Sequence, residues 1–226
     1  MKKILSLVLT ASMLVSILLT GVVVSAKEEL PFTDVAKGDW YYEAVESVYA
    51  SGIMTGKTAT TFDPKANMSR AEFVTVLSRI AAVNAATVGY ADSLKFDDTD
   101  PDAWYADAAG WAVDAGLTKG TSDTTFSPTR QITRQEMAVL IVRFVDYLGE
   151  KVPDNAKVEK FADADKIADW AKADIETMRK YGLIAGDQNG NFNPLGNADR
   201  ASVATIVMRL MPNVSTTYVV KNGKSD

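Results

Sequence analysis

Residues 96–136 read FDDTDPDAWYADAAGWAVDAGLTKGTSDTTFSPTRQITRQE, and the same skeleton stands once before and once after this stretch. Phe96-Asp97-Asp98 opens it, as Phe32-Thr33-Asp34 and Phe161-Ala162-Asp163 open the other two. Trp104 matches Trp40 and Trp170, Gly116 matches Gly52 and Gly182, and Gly120 matches Gly56 and Gly186. Phe126 and Pro128 match Phe62 and Pro64, then Phe192 and Pro194; Arg134 matches Arg70 and Arg200. Tryptophan and arginine are thirty residues apart in every copy. Only the step from the opening Phe to the Trp varies, being nine residues in the third copy and eight in the others. The openings lie 64 and 65 residues apart, so the chain is built of three tandem units.

Each unit parses as helix, loop, helix, which predicts a mainly α fold. The first helix starts near the Trp, with apolar residues at helical spacing such as Val45, Val48 and Tyr49, or Ala108, Trp111 and Ala112. Gly52, Gly116 and Gly182 suit the left-handed position after its last turn. Phe-x-Pro then reads as a buried ring followed by a fixed bend. Ser69-Arg70-Ala71-Glu72 and Thr133-Arg134-Gln135-Glu136 are capping boxes that start the second helix. Asp199 is the matching cap in the third copy, where Ser202 replaces the glutamate. Apolar stripes follow, for example Met137, Leu140, Ile141 and Phe144. The linkers, about residues 81–95 and 145–160, are variable, and the Ala/Val-rich first one is expected to extend its helix.

The 226 residues include 47% hydrophobic and 23% charged, the balance of a folded protein. Cysteine and histidine are both absent. That excludes a disulfide framework, a thiolate metal site, a cysteine nucleophile and a Ser-His-Asp triad. A net charge of −5 argues against a nucleic-acid partner. No cofactor and no metal are expected.

Residues 1–26 read as a secretory signal: Lys2 and Lys3, an apolar run from Ile4 to Val24, then Val24-Ser25-Ala26 for the peptidase. The alternative is an uncleaved membrane anchor, since the run is about long enough to span a bilayer. The expected divisions are 1–26 signal, 27–95 first repeat with linker, 96–160 second repeat with linker, 161–211 third repeat, and 212–226 tail.

Arg70, Arg134 and Arg200 each stand at the first position of a second helix, where the helix dipole is adverse to a cation. An anion in front of the helix would make the choice favourable, because arginine and open amides would bind it together. The competing reading is a salt bridge to Asp34, Asp98 or Asp163. Trp40, Trp104 and Trp170 are either core residues or a stacking face for a sugar ring. The glycines are turn formers that also let a ligand approach the backbone.

The pattern Phe-x-Asp…Trp…Gly-(Ile/Leu)…Gly…Phe-x-Pro…(Ser/Thr)-Arg-x-Glu resembles the S-layer homology domain, over residues 32 to about 211. The resemblance implies a three-pronged, pseudo-threefold arrangement around a central helical bundle, with grooves between adjacent repeats. It implies an exported protein held non-covalently at the cell surface, in the wall or S-layer. The ligand it implies is secondary cell-wall polysaccharide, commonly ending in pyruvylated N-acetylmannosamine, whose carboxylate matches the anion inferred above. Carried over by motif, the polysaccharide-binding residues are Asp34, Trp40, Gly56 and Arg70; Asp98, Trp104, Gly120 and Arg134; and Asp163, Trp170, Gly186 and Arg200. Ser69, Glu72, Thr133, Glu136 and Asp199 remain helix caps. Asp199 puts an acid beside Arg200, so the third motif is expected to be the weakest.

Family members usually join such repeats to an enzyme, adhesin or lattice-forming region, so an envelope protein partner is a further expectation. No membrane contact is expected after signal cleavage. Two other functions compete. A calcium-stabilised structural envelope module would use the alternating oxygens of Asp187-Gln188-Asn189-Gly190-Asn191-Phe192-Asn193, which lack a closing glutamate. A cell-wall glycoside hydrolase would need an acid pair. The acids here fall in turns, caps and helix faces, and the repeats fill most of the sequence, so no catalytic residue is expected.

Overall fold

The computed structural model describes residues 30–82, 89–151, 153 and 159–213. The segment read as an export signal, 1–26, and nearly all of the tail lie outside the described residues. Among the described residues six α-helices carry the fold: α1 Tyr42–Ala50, α2 Arg70–Ile80, α3 Ala106–Asp114, α4 Arg134–Leu148, α5 Asp169–Lys180 and α6 Arg200–Leu210. Short 3-10 turns cover Tyr90–Ser93, Ala164–Lys166 and Met211–Asn213. No β-strand occurs among the described residues; three isolated bridges are the only extended pairing there.

The first helix of each repeat stops at a glycine in the left-handed region, with φ of 69°, 72° and 68° at Gly52, Gly116 and Gly182. Leu117 N–H donates to Ala112 O and Leu183 N–H to Met178 O, the six-to-one bond that closes a Schellman stop. The second helices start on side-chain caps. Ser69 and Glu72 exchange bonds with each other's backbone, as do Thr133 and Glu136, while Asp199 Oδ1 accepts from Ser202 N–H at 2.7 Å. α2 ends at Ile80 and turns at Ala81–Ala82, so the described part of the first linker does not extend it, and residues 83–88 lie outside the described residues. α4 instead takes up residues 145–148 of the expected second linker and ends at Gly149, φ 68°.

A repeat is not the packing unit. α2 packs on α3, α4 on α5, and α6 on α1, so each second helix covers the first helix of the next repeat, and the third repeat covers the first. The main chain before the second helices closes the same circuit. Met68 N–H donates to Ala198 O, Ala198 N–H to Ile132 O, and Ile132 N–H to Met68 O, at 2.9, 3.0 and 2.9 Å. Gln131 Oε1 lies beside this triangle and accepts from the side-chain amides of both Asn67 and Asn197. The three Phe-x-Pro rings, Phe62, Phe126 and Phe192, are fully buried in the core that these pairings enclose. Each such ring contributes about 1.5–3 kcal/mol by leaving water.

Candidate functional site: grooves between the repeats

The middle residue of each Phe-x-Pro bend has a left-handed backbone, with φ of 59° at Asp63, 58° at Ser127 and 56° at Asn193. Such a conformation costs a non-glycine residue energy that its surroundings must offset. The opening aspartates supply the offset. Asp34 accepts from the amides of Phe62 and Asp63, Asp98 from Phe126 and Ser127, and Asp163 from Phe192 and Asn193, all at 2.7–2.9 Å. Both carboxylate oxygens are therefore engaged within the aspartate's own repeat.

The carbonyl of the same phenylalanine receives an arginine from the preceding repeat. Arg70 Nε donates to Phe126 O, Arg134 Nε to Phe192 O and Arg200 Nε to Phe62 O, at 2.9, 2.8 and 2.8 Å. Each guanidinium lies over the ring it serves, 5.2, 5.1 and 4.4 Å from the centroid. An arginine at a helix start is thus explained by a neighbouring repeat. Neither the aspartate salt bridge nor an anion held on open amides is what the backbone presents. The first two amides of each second helix are already taken: Arg70 and Ala71 donate to Arg130 O and Pro128 O, Arg134 and Gln135 to Gly196 O and Pro194 O, Arg200 and Ala201 to Ala66 O and Pro64 O. The third amide is held by the cap.

Because each arginine crosses to the next repeat, the grooves are composite. One groove, of about 210 Å³, has Gly56, Lys57, Glu72 and Arg79 of the first repeat, Trp104 of the second and Arg200 of the third. A larger one, of about 660 Å³, has Gly186, Asp187, Asp199, Ser202, Thr205 and Arg209 of the third repeat, Arg134 of the second and Trp40 of the first. At the boundary of the first and second repeats, Arg70 sits 3.4 Å from Thr118 Oγ1, which also accepts from Gly120 N–H, and 3.7 Å from Glu136. Asp199, expected to repel a ligand held by Arg200, does not share that arginine's groove. Asp199 lines the groove of Arg134, since the Arg200 side chain leaves for the first repeat.

The tryptophans are not core residues. Trp40 is 69% exposed, Trp104 67% and Trp170 56%, while the rest of the large apolar set is mostly buried. Large exposed indoles at a groove mouth are the kind of apolar surface that marks a binding site. Gly56 and Gly120 have a packing reason of their own. A Cβ there would lie 2.4 Å from Thr58 O and 2.5 Å from Thr125 O, so the loop admits no side chain.

A second arginine in each repeat escaped the sequence reading. Arg79, Arg143 and Arg209 each lie nine residues after a helix-start arginine, a fixed offset that was visible in the sequence. Each is exposed, and each donates to the carbonyl that follows the helix-stop glycine: Ile53 O, Leu117 O and Leu183 O, at 3.1, 3.0 and 3.2 Å. Arg79 and Arg209 thereby give the two grooves a second cation facing the helix-start arginine.

The glutamates of the capping boxes are electrostatically busy. Burial pushes the Glu72 carboxyl up, but bonds from Lys57 and Ser69 pull it below the usual carboxylate range. Burial does the same at Glu136, where Arg130 and Thr133 outweigh it. For Arg134, burial lowers the guanidinium pKa, and Asp199, then Asp163, push back. In the loop considered for calcium, Asp187 Oδ1 accepts from the amides of Asn189 and Asn191, an ordinary Asx turn. No cluster of three acids suited to a metal ion occurs among the described residues.

The model of the S-layer homology domain matches three stretches, residues 31–74, 95–138 and 160–204. The chain is also similar to the surface-layer 125 kDa protein of Lysinibacillus sphaericus, 34% identical over 178 residues, 77% of this chain and 14% of that one. It is 31% identical over 180 residues to an amylopullulanase of Thermoanaerobacterium thermosulfurigenes, 80% of this chain and 9% of the relative. Similarity to a cellulosome-anchoring protein of Acetivibrio thermocellus is 28% over 161 residues, 69% of this chain and 34% of the relative. The chain thus spans a small share of the length of these relatives.

Proposed function

Because the chain belongs to the S-layer homology domain family, we propose that it attaches non-covalently to the bacterial cell wall by holding secondary cell-wall polysaccharide in its inter-repeat grooves. The observation that carries this reading is an exposed indole sharing a groove with arginines of other repeats: Trp40 with Arg134 and Arg209, and Trp104 with Arg79, beside an Arg200 that Phe62 O and Thr55 O hold. An indole face stacks on a sugar ring, and an open guanidinium suits a carboxylate in bidentate fashion. A sugar carrying ketal-linked pyruvate presents both surfaces at once. Trp170, Arg70 and Gly120 are the corresponding residues of a third set. Asp34, Asp98 and Asp163 serve from behind, holding the bends on which the arginines rest.

Relatives named for a surface layer and for anchoring support attachment, and the similarity to an amylopullulanase covers only 9% of that enzyme. The chain acts in this reading as a binding module rather than a catalyst, exported through residues 1–26, with an envelope protein as a further partner.

Purified cell-wall sacculi that retain their polysaccharide should sediment the protein, and acid extraction of the polysaccharide or removal of its pyruvate should abolish this. Equal sedimentation with bare peptidoglycan would overturn the polysaccharide reading.

A further inference from the structure

The three helix-start arginines hold the same sequence position but differ in what they have left to offer. Arg200 donates Nε to Phe62 O and a terminal nitrogen to Thr55 O at 2.6 Å, and it is 6% exposed. Arg70 is 4% exposed, with Thr118 at 3.4 Å and the Glu136 carboxylate at 3.7 Å from its terminal nitrogens. Arg134 is only partly buried, and among the described residues its terminal nitrogens have no hydrogen-bond partner.

The residue at the third position of the facing helix differs as well. Glu136 faces Arg70, and Glu72 lines the groove of Arg200 and is the first acid to act on it. At the matching position before Arg134 stands Ser202, which carries no charge. We infer that the groove of the third repeat is this protein's tight site for a carboxylate-bearing sugar, and that Glu72 and Glu136 act in the other two sets as internal carboxylates competing with the ligand. The absence of glutamate at position 202 therefore leaves Arg134 without the third-position carboxylate that stands near Arg70 and Arg200. Asp199 and Asp187 work against the same site, since both carboxylates line the groove, although Asp199 Oδ1 is engaged in capping the helix and Asp187 Oδ1 in holding its own turn. The size of the groove, about 660 Å³, suits a sugar unit, whereas about 210 Å³ at the first repeat is narrow for one.

This inference rests on the polysaccharide reading, and one experiment separates the two. The full chain is titrated calorimetrically with the methyl glycoside of pyruvate-ketal N-acetylmannosamine, and with the same glycoside lacking the ketal. Ser202→Glu supplies the missing competitor, and Trp40→Ala removes an exposed indole. Each should lower affinity for the ketal by about tenfold or more, the scale of a lost charge-assisted contact. Asp199→Asn keeps a cap residue and should raise affinity. Trp104→Ala should cost less than Trp40→Ala. Melting curves confirm that each variant is folded, and the comparison of Trp40→Ala with Trp104→Ala decides the ranking if Ser202→Glu is not. A larger loss for Trp104→Ala, or unchanged affinity in Ser202→Glu, would overturn the ranking of the grooves and leave the polysaccharide reading standing. No preference of the natural protein for the ketal would overturn both.

Discussion

Arg200 and Arg134 sit at the same step of the repeat, each over the corresponding phenylalanine and on its carbonyl, yet one is a sealed structural tie and the other faces an open groove. The contrast lies in their surroundings. Thr55 O, Lys57 and Glu72 stand around Arg200, while Ala185, Asp187 and Ser202 stand at the corresponding places near Arg134. A repeated motif therefore does not fix a repeated role. The motif places the cation, and the variable residues of the next repeat decide whether it holds the protein together or remains available to something else.

The largest expected effect tests that division directly. Arg200→Ala leaves Phe62 O and Thr55 O without their buried donor and removes the cation over the Phe62 ring. It should cost about 3 kcal/mol of stability, whereas Arg134→Ala, with one such bond and partial solvent access, should cost about 1.5 kcal/mol. Urea unfolding of both variants measures the gap, and equal losses would erase the distinction between the two arginines.

A smaller effect separates the boxed helices from the third one. Glu72→Ala should cost about 1 kcal/mol near neutral pH through the lost cap and the lost bond to Lys57. The Glu72 carboxyl is held below its ordinary value, so its contribution is fully present above about pH 4.3 and fades as pH falls through the depressed value. The stability curves of the natural protein and Glu72→Ala should converge in acid. A gap that persists at pH 2 would mean that Glu72 stabilises α2 by packing and not by charge.

The smallest effect concerns the exposed indoles. Trp40→Ala and Trp104→Ala should each leave stability within about 0.5 kcal/mol of the natural protein, because neither ring is buried. A thermal shift well beyond that would return them to the core and weaken the contrast between binding face and scaffold.

Much of this was legible in advance. The three units, the six helices, the glycine stops and the caps at Ser69, Thr133 and Asp199 all follow from spacing and residue type. The helix-start arginines and the tryptophans stand out together by their fixed spacing. Arg79, Arg143 and Arg209 could have been found by the same offset counting. What spacing could not supply was the assignment of each arginine to a partner. Adjacent numbering suggested that Asp199 would spoil Arg200, while the folded chain sets it against Arg134.

Sequence alone determined whatever depends on neighbours a few residues away: helical periodicity, the left-handed stops and the side-chain caps, since their bonds close within one or two turns. Only the tertiary structure decided how the repeats interlock, which amides were already satisfied, and which arginine was left open. Those outcomes depend on partners 56, 58 and 138 residues away along the chain, where Arg70, Arg134 and Arg200 find Phe126, Phe192 and Phe62. Buried polar groups must find partners wherever the fold brings them, and the repeat pattern by itself says that a cation is present but not which carbonyl or carboxylate it will meet.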